Sequence, residues 1–413
     1  MIRTSTLPLE ANREERLPGD YPNRITVAFT AQYDYKFALV SNSIKNMIRA
    51  KQSIFARAFA RYASTSSKSG PTAVVLMNMG GPSTVEGTRD FLYRLFSDGD
   101  LIPFGRFQKP LAKFITARRY KTIEEHYKEI GGGSPIRKFS EQQGEMACEL
   151  LDKLNPDTAP HKSYVAFRYA PPLTDEMYEQ LLKDGVKRAI AFSQYPQYSF
   201  STTRSSVNEL ERVIERMDPE RTIEWSYILR WPTHPSFIKT VARKVQQEIE
   251  KFPEADQKDV MVLFSAHSLP MTIVNKGDPY VAEVSASAYA VMQSLGFSNP
   301  YRCTYQSQVG PQPWLGAQTQ KAIQTLEKQP GYKGVVVVPI AFTTDHIETL
   351  HEIDIEMREE VTKPELLRRA ESLNLDAGYI QAMAEIVKEH LNDDDAAQVA
   401  SGAAARPVFN VLN

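Results

Sequence analysis

From Ala73 onward, short apolar runs rich in β-branched residues alternate with longer segments of helical period. That alternation restricts the chain to an α/β fold built on parallel sheets. The runs cover 73–78, 163–167, 188–192, 223–229, 260–264, 302–306 and 335–340, and helical patterns at 172–183, 205–217, 235–251, 279–295 and 318–326 lie between them. They fall into two groups of similar βαβ grammar, broken near 231–236. The expected architecture is two doubly wound, Rossmann-like lobes, 72–234 and 235–391, the second closed by a helix around 377–390. The tail, 392–413, is acidic and then Ala-rich and is expected to fray.

Bulk properties narrow the function classes. A length of 413 residues suggests two or three domains, and 42% apolar with 24% charged residues is ordinary for a folded soluble chain. The net charge of -1 offers no overall attraction for nucleic acid. Cys148 and Cys303 have no metal-ligand spacing and read as buried free thiols. Two cysteines cannot by themselves hold an iron–sulfur cluster. No apolar run approaches the ~20 residues of a membrane span, so any membrane contact is expected to be peripheral.

The first seventy residues read differently. Residues 47–62 carry Arg49, Lys51, Arg57 and Arg61 with no acid, and Ile48, Ile54, Phe55 and Phe59 on the apolar side. Such a basic amphipathic stretch, followed by Ala63-Ser64-Thr65-Ser66-Ser67, is expected to be a mitochondrial transit peptide, with 63–71 as linker. Residues 1–46 contain Glu10, Glu14, Glu15, Asp20 and Asp34, which such leaders avoid. They are expected to be a gene-model extension upstream of a start at Met47.

Chemistry-bearing residues collect after the apolar runs, where a parallel sheet presents side chains to a ligand crevice. One run exits into Phe264-Ser265-Ala266-His267-Ser268-Leu269-Pro270 and another into Thr343-Thr344-Asp345-His346-Ile347-Glu348. An imidazole facing an imidazole and a carboxylate suits a site that binds a divalent metal and accepts protons near neutral pH. Glu348, Glu352 and Glu356 recur every fourth residue, an acidic stripe with about 40° of drift per step on an α-helix. Two structural readings compete: Glu348 capping a helix begun at Asp345, and a solvated acidic face. His234 is a weaker candidate than His267. The glycines of Met79-Gly80-Gly81-Pro82 and Gly131-Gly132-Gly133-Ser134 lack a dinucleotide or Walker fingerprint and read equally well as turns. The apolar stretch from Phe91 to Arg119 is broken at Ser97-Asp98-Gly99-Asp100, which suggests a flap over a pocket. Backed by Arg118-Arg119, it would suit a flat hydrophobic ligand with acidic edges.

These residues coincide with those of a known family. The segment from about 72 to 390 resembles the ferrochelatases through Leu76-Met77-Asn78-Met79-Gly80-Gly81-Pro82, Gln194-Tyr195-Pro196-Gln197-Tyr198-Ser199, Arg230-Trp231-Pro232-Thr233-His234, Phe264 to Pro270, Gln308 to Gly316 and Asp345 to Leu350. The resemblance implies insertion of Fe2+ into protoporphyrin IX, in a cleft between the lobes, with iron as substrate and no permanent cofactor. It implies His267 as proton acceptor or metal contact, with Glu348, His346 and His234 as catalytic partners. It also implies Glu352 and Glu356 as further metal or proton groups. Met79, Tyr127, Tyr195, Trp231 and Trp314 would line the macrocycle, with Arg118, Arg119 and Ser134 near the propionates. A homodimer on the matrix side of the mitochondrial inner membrane, touching it through the lip at 91–107, is the implied setting. Phe200 stands where animal members carry a cluster cysteine, and the tail has no cysteine, so the [2Fe–2S] centre is expected to be absent. A chelatase for another metal, a porphyrin-binding protein without turnover and a nucleotide-dependent enzyme are the competing readings.

Overall fold

The computed structural model describes residues 70–101, 105–310 and 312–393. The leader, the upstream extension, most of the linker and nearly all of the tail lie outside them.

Among the described residues, eight strands form two four-stranded sheets: β1 (Thr72–Asn78), β2 (His161–Phe167), β3 (Arg188–Ser193) and β4 (Glu224–Ile228), then β5 (Met261–His267), β6 (Tyr301–Gln306), β7 (Val335–Pro339) and β8 (Leu367–Arg369). Their orders, β2-β1-β3-β4 and β6-β5-β7-β8, are the same permutation, and every pairing is parallel. The central strands β1 and β7 are buried along their whole length, as helices on both faces of a parallel sheet require. β8 is the strand that the apolar pattern does not reveal. It is three residues, Leu-Arg-Arg, held in place by the pairing of Val335 to Leu367.

Nine longer α-helices accompany the described strands: α1 (Thr88–Ser97), α2 (Gln108–Glu129), α3 (Ile136–Leu154), α4 (Thr174–Lys183), α5 (Ser205–Met217), α6 (Pro235–Ile249), α7 (Tyr280–Ser294), α8 (Thr319–Leu326) and α9 (Ala377–Asn392). The helix α9, expected to close the second lobe, packs on α3 of the first lobe as well as on α6 of the second. Its buried Tyr379, Ile380, Met383, Ala384, Ile386 and Val387 are spread too widely round the helix for one partner. One apolar core consequently runs through both lobes, joining Leu76 and Phe192 to Phe264, Val336 and Tyr379. Each such side chain contributes about 1.5–3 kcal/mol on burial, so the lobes stabilise one another.

The stretch expected to be a flap is a hairpin of α1 and α2. Phe91, Leu92 and Phe96 are buried against Phe167 and Tyr169, whereas Phe107 and Phe114 are exposed. Its foot is tied down by Asp98, which accepts from Arg168 Nη2 (2.5 Å), Tyr169 OH (2.6 Å) and Ser205 Oγ (3.1 Å). A cleft of about 350 Å³ lies here, lined by Arg94, Asp98, Arg168, Glu209 and Arg212 among others. Arg168 pairs there with Asp98 and Glu209, Arg212 with Glu209, and Arg94 donates to the Tyr169 carbonyl.

Both glycine clusters are close-packing turns. Gly80 lies at φ 76°, and a Cβ there would stand 2.7 Å from the Phe167 ring. A Cβ on Gly133 would come within 2.3 Å of the Ser83 carbonyl oxygen, so the two loops dock only because these positions lack side chains.

Candidate active site at the strand ends

In each sheet the chain reverses its direction of winding between the two central strands, β1 and β3 or β5 and β7, which opens a crevice beyond their carboxyl ends. The two crevices adjoin. Thr343 Oγ1 donates to Gln194 O (3.3 Å) and Gln197 Nε2 to Ile340 O (3.3 Å), linking the loop after β3 to the loop after β7.

His267 is the last residue of β5, and Glu348 lies in the single helical turn Ile347–Leu350 beyond β7. His267 Nδ1 is 2.8 Å from Glu348 Oε2, and His346 Nε2 is 3.7 Å from Glu348 Oε1. His346 Nδ1 lies 3.0 Å from Thr344 O and donates to it, which turns Nε2 toward Glu348. Burial alone would raise the Glu348 pKa, but the imidazoles of His267 and His346 outweigh it and hold the carboxyl well below its ordinary range. Burial alone would lower the His267 pKa, and the Glu348 carboxylate outweighs it, so the imidazole is raised. The pair is an ion pair in waiting, with the ring 43% exposed to the cleft and the carboxylate only 14%.

Glu348 is no cap. The turn is capped by Thr349, whose Oγ1 accepts from His346 N (3.0 Å). Asp345 is held instead by Arg369 Nη1 (2.8 Å) and Asn374 Nδ2 (2.7 Å). The competing structural reading of the glutamate fails on those bonds.

Glu352 joins the pair through residues that the sequence motifs did not single out. Ser307 Oγ stands 2.8 Å from Glu348 Oε2 and 2.6 Å from Glu352 Oε2, and Gln306 Nε2 donates to Glu352 Oε2 (3.0 Å). A hydroxyl has one proton, so one of its two carboxyl contacts needs a proton from the carboxyl. Burial and the neighbouring Glu348 charge push Glu352 up to about 7, which marks it as the carrier. Ser307 was legible only as the residue after β6; its φ of 64°, which aims the hydroxyl, is a tertiary fact.

The expectation of a straight stripe through Glu356 is corrected. Residues Glu352–Met357 form a π-helix, with Glu356 N bonded to His351 O (2.9 Å). The wider turn moves Glu356 off the line to an exposed position 3.9 Å from His351 Nδ1. The four expected metal ligands therefore do not form one shell. His351 itself stacks on His126 (centroids 3.8 Å apart) and bonds Glu129 (2.8 Å).

A stability measurement reports on Glu352. Its folded pKa lies above the ordinary 4.5, so the native state holds a proton that the unfolded chain releases. The associated stability is full below about pH 4.5 and is lost as pH rises through 7. Glu352→Gln is expected to raise apo-protein stability by about 2 kcal/mol at pH 8 and leave it nearly unchanged near pH 4.5. Thermal melts at both values check this, and an equal gain at both would contradict it.

The remaining expected residues divide. Tyr127 and Tyr195 lie close enough to Glu348 for its charge, added to burial, to raise their pKa values. Met79 N donates to Asn78 Oδ1 and to Tyr195 OH (both 2.7 Å), placing Met79 and Tyr195 together at the β1–β3 switch point. Ser134 is buried beside Gly81, its N–H bonded to Pro82 O (2.7 Å). Trp314 bridges by backbone to Pro270, three residues past His267, and its indole donates to Val309 O (2.9 Å). Arg119 is half-buried on α2, whereas Arg118 is exposed with its guanidinium 5.6 Å from the Phe114 ring centroid.

Two expectations are corrected. Trp231 is packed in the shared core against Phe237 and Tyr379, its indole donating to Ser193 O (2.8 Å), rather than exposed to a cleft. His234 immediately precedes α6, its Nε2 lies 3.6 Å from Glu389 of α9 and neither ring nitrogen is hydrogen-bonded, so the ring sits beside the C-terminal helix instead of the His267–Glu348 pair.

The sequence profile of the ferrochelatase family matches residues 71–391. The chain is 50% identical over 327 residues to the mitochondrial ferrochelatase of Bos taurus, covering 78% of each chain. It is 49% identical to that of Homo sapiens, covering 78% of this chain and 77% of the relative. Identity to the enzyme of Schizosaccharomyces pombe is 47% over 323 residues, covering 78% and 76%. With an aligned stretch that takes in every strand of both sheets and the His267–Glu348 pair, the chain belongs to the ferrochelatase family.

Proposed function

We propose that the protein is a lyase of the porphyrin metal chelatase type that inserts Fe2+ into protoporphyrin IX, forming protohaem and releasing two protons, the last step of haem synthesis. The observation that carries this reading is the largely covered carboxylate of Glu348 bonded to His267 at the end of a central strand.

The chemistry follows from which atoms are free. A planar free-base porphyrin holds two N–H protons, and Fe2+ can replace them only as both depart; two positive charges enter and two leave. In the neutral tautomer His267 Nδ1–H donates to Glu348, so Nε2 keeps its lone pair and accepts a pyrrole proton. The imidazolium so formed is held by the Glu348 carboxylate. As Nε2 keeps the pyrrole proton, the Nδ1 proton has a path through Glu348 Oε2 and Ser307 to Glu352, whose pKa of about 7 lets it both take and give up a proton. The same path serves the second proton. Glu348 and Glu352 offer the hard oxygens that replace water around the entering cation, and Tyr195, Met79 and Trp314 the walls that hold a bent ring.

The setting is the mitochondrion, consistent with the relatives' names. The finer reading is the matrix side of the inner membrane, with peripheral contact through the α1–α2 hairpin and assembly as a homodimer. No helix among the described residues is long and apolar enough to cross a membrane. Phe200 packs edge-on to Tyr198 (6.2 Å) under Arg204 (5.3 Å), which supports a form without an iron–sulfur centre.

Anaerobic incubation with ferrous iron and protoporphyrin IX is expected to yield haem with two protons released per turnover. Porphyrin binding without haem would turn the reading to a carrier protein.

A further inference from the structure

His351 is the joint between the two turns that carry the glutamates. Its N–H donates to Ile347 O (2.9 Å), closing the helical turn that holds Glu348. Its carbonyl accepts from Ile355 N (3.1 Å) and Glu356 N (2.9 Å), opening the π-helix that begins at Glu352. A π-helix is rare, so whatever holds its first carbonyl in place matters to the residues it carries. The His351 side chain is 6% exposed and is gripped by the end of α2, an element of the first lobe. Nε2 donates to Glu129 (2.8 Å), and the His126 ring lies on the imidazole face at 3.8 Å and 17°. Burial and the adjacent His351 keep the His126 pKa below its ordinary value, so a neutral ring makes this stack. In-plane lone pairs on nearly parallel rings cannot meet at one ion, so the two imidazoles form a grip and not a chelating site.

We propose that His126 and Glu129 are positioning residues for the proton path: by gripping His351 they fix the start of the π-helix, and with it the carboxyl of Glu352 against Ser307. Their consequence for turnover rests on the reaction proposed above; the grip itself does not. Neither residue bonds to His267, Glu348 or Glu352, so their route to the reaction is His351. The path is sensitive to small movements. A shift of about 1 Å in the π-helix would stretch the 2.6 Å contact of Ser307 with Glu352 beyond hydrogen-bond range. The neighbouring Tyr127 is buried and close enough to Glu348 to feel its charge, so consecutive residues of α2 face both turns.

Hydrogen–deuterium exchange and steady-state turnover of the full chain test this together. His126→Ala is expected to speed exchange in segment 352–357 about 10-fold, with the amides of β5 unchanged as a report on the intact fold. It is expected to lower kcat for haem formation about 10-fold at an unchanged KM for protoporphyrin IX. His126→Phe keeps a flat ring on His351 and is expected to restore both. Glu129→Gln keeps an acceptor for Nε2 and is expected to resemble the parent, whereas Glu129→Leu is expected to resemble His126→Ala. In a Ser307→Ala background, where the path is already cut, His126→Ala is expected to cost no further turnover. Equal exchange in segment 352–357 of the parent and His126→Ala overturns the grip. Faster exchange with unchanged kcat, or a loss of kcat that persists in the Ser307→Ala background, overturns the role in the proton path. Faster exchange in a chain whose parent makes no haem refutes the reaction and that role with it, and leaves the grip standing.

Discussion

His267→Ala is expected to reduce anaerobic haem formation about 1000-fold or more while leaving porphyrin binding largely intact. The loss is large because Nε2 is the imidazole nitrogen whose lone pair the hydrogen bond to Glu348 leaves free, and because the imidazolium has a carboxylate 2.8 Å away to hold it. Fluorescence titration separates binding from turnover, and the pH profile identifies the group. A proton acceptor must be neutral, so the parent's rate should rise with pH through a value above the free imidazole range, since Glu348 overrides the lowering effect of burial. In Glu348→Gln that override is gone, burial remains, and the acid limb should move below about 6.5 as overall activity falls. An unchanged turnover in His267→Ala would remove the imidazole from the mechanism. An unmoved acid limb in Glu348→Gln would assign that limb to another group.

Trp231→Ala is expected to destabilise the protein by about 3–5 kcal/mol, the range for deleting a buried aromatic side chain. The indole is 5% exposed and touches Phe192, Phe237 and Tyr379, so it joins the first sheet, α6 and α9. Its bond to Ser193 O is lost as well, leaving a buried carbonyl unpaired. Denaturant unfolding should show the drop, and Trp231→Phe should recover much of it. The fraction that remains folded should bind porphyrin as the parent does. Normal stability with weakened porphyrin binding would instead restore Trp231 to the wall of the cleft.

Sequence patterning reached the seven longer strands because parallel strands covered on both faces need apolar runs such as Val335-Val336-Val337-Val338. β8 escaped it because a three-residue strand with two arginines is held by its neighbours: Arg369 donates to Asp345 and Asp354. The placement of α9 escaped it too, since an apolar helix face does not say which lobe it covers.

His267, His346 and Glu348 were legible because strand ends in a doubly wound sheet are where ligand chemistry accumulates, and the spacing of residues along one loop is local information. Ser307 and Gln306 were not, because their role is a distance across the sheet, from the end of β6 to the turn beyond β7. Glu356 was misplaced for the same kind of reason: i and i+4 coincide on an α-helix, and a π-helix changes the angle without changing the residue types. By itself the sequence determined the α/β architecture, the residue types at the strand ends and the family pattern, all carried by local order along the chain. Only the tertiary structure decided which carboxylates share a proton, that Trp231 and His234 serve packing and the C-terminal helix, and which face of α2 remains uncovered. Those outcomes depend on through-space distances, burial and the competition of charge with desolvation, which arise when distant segments meet.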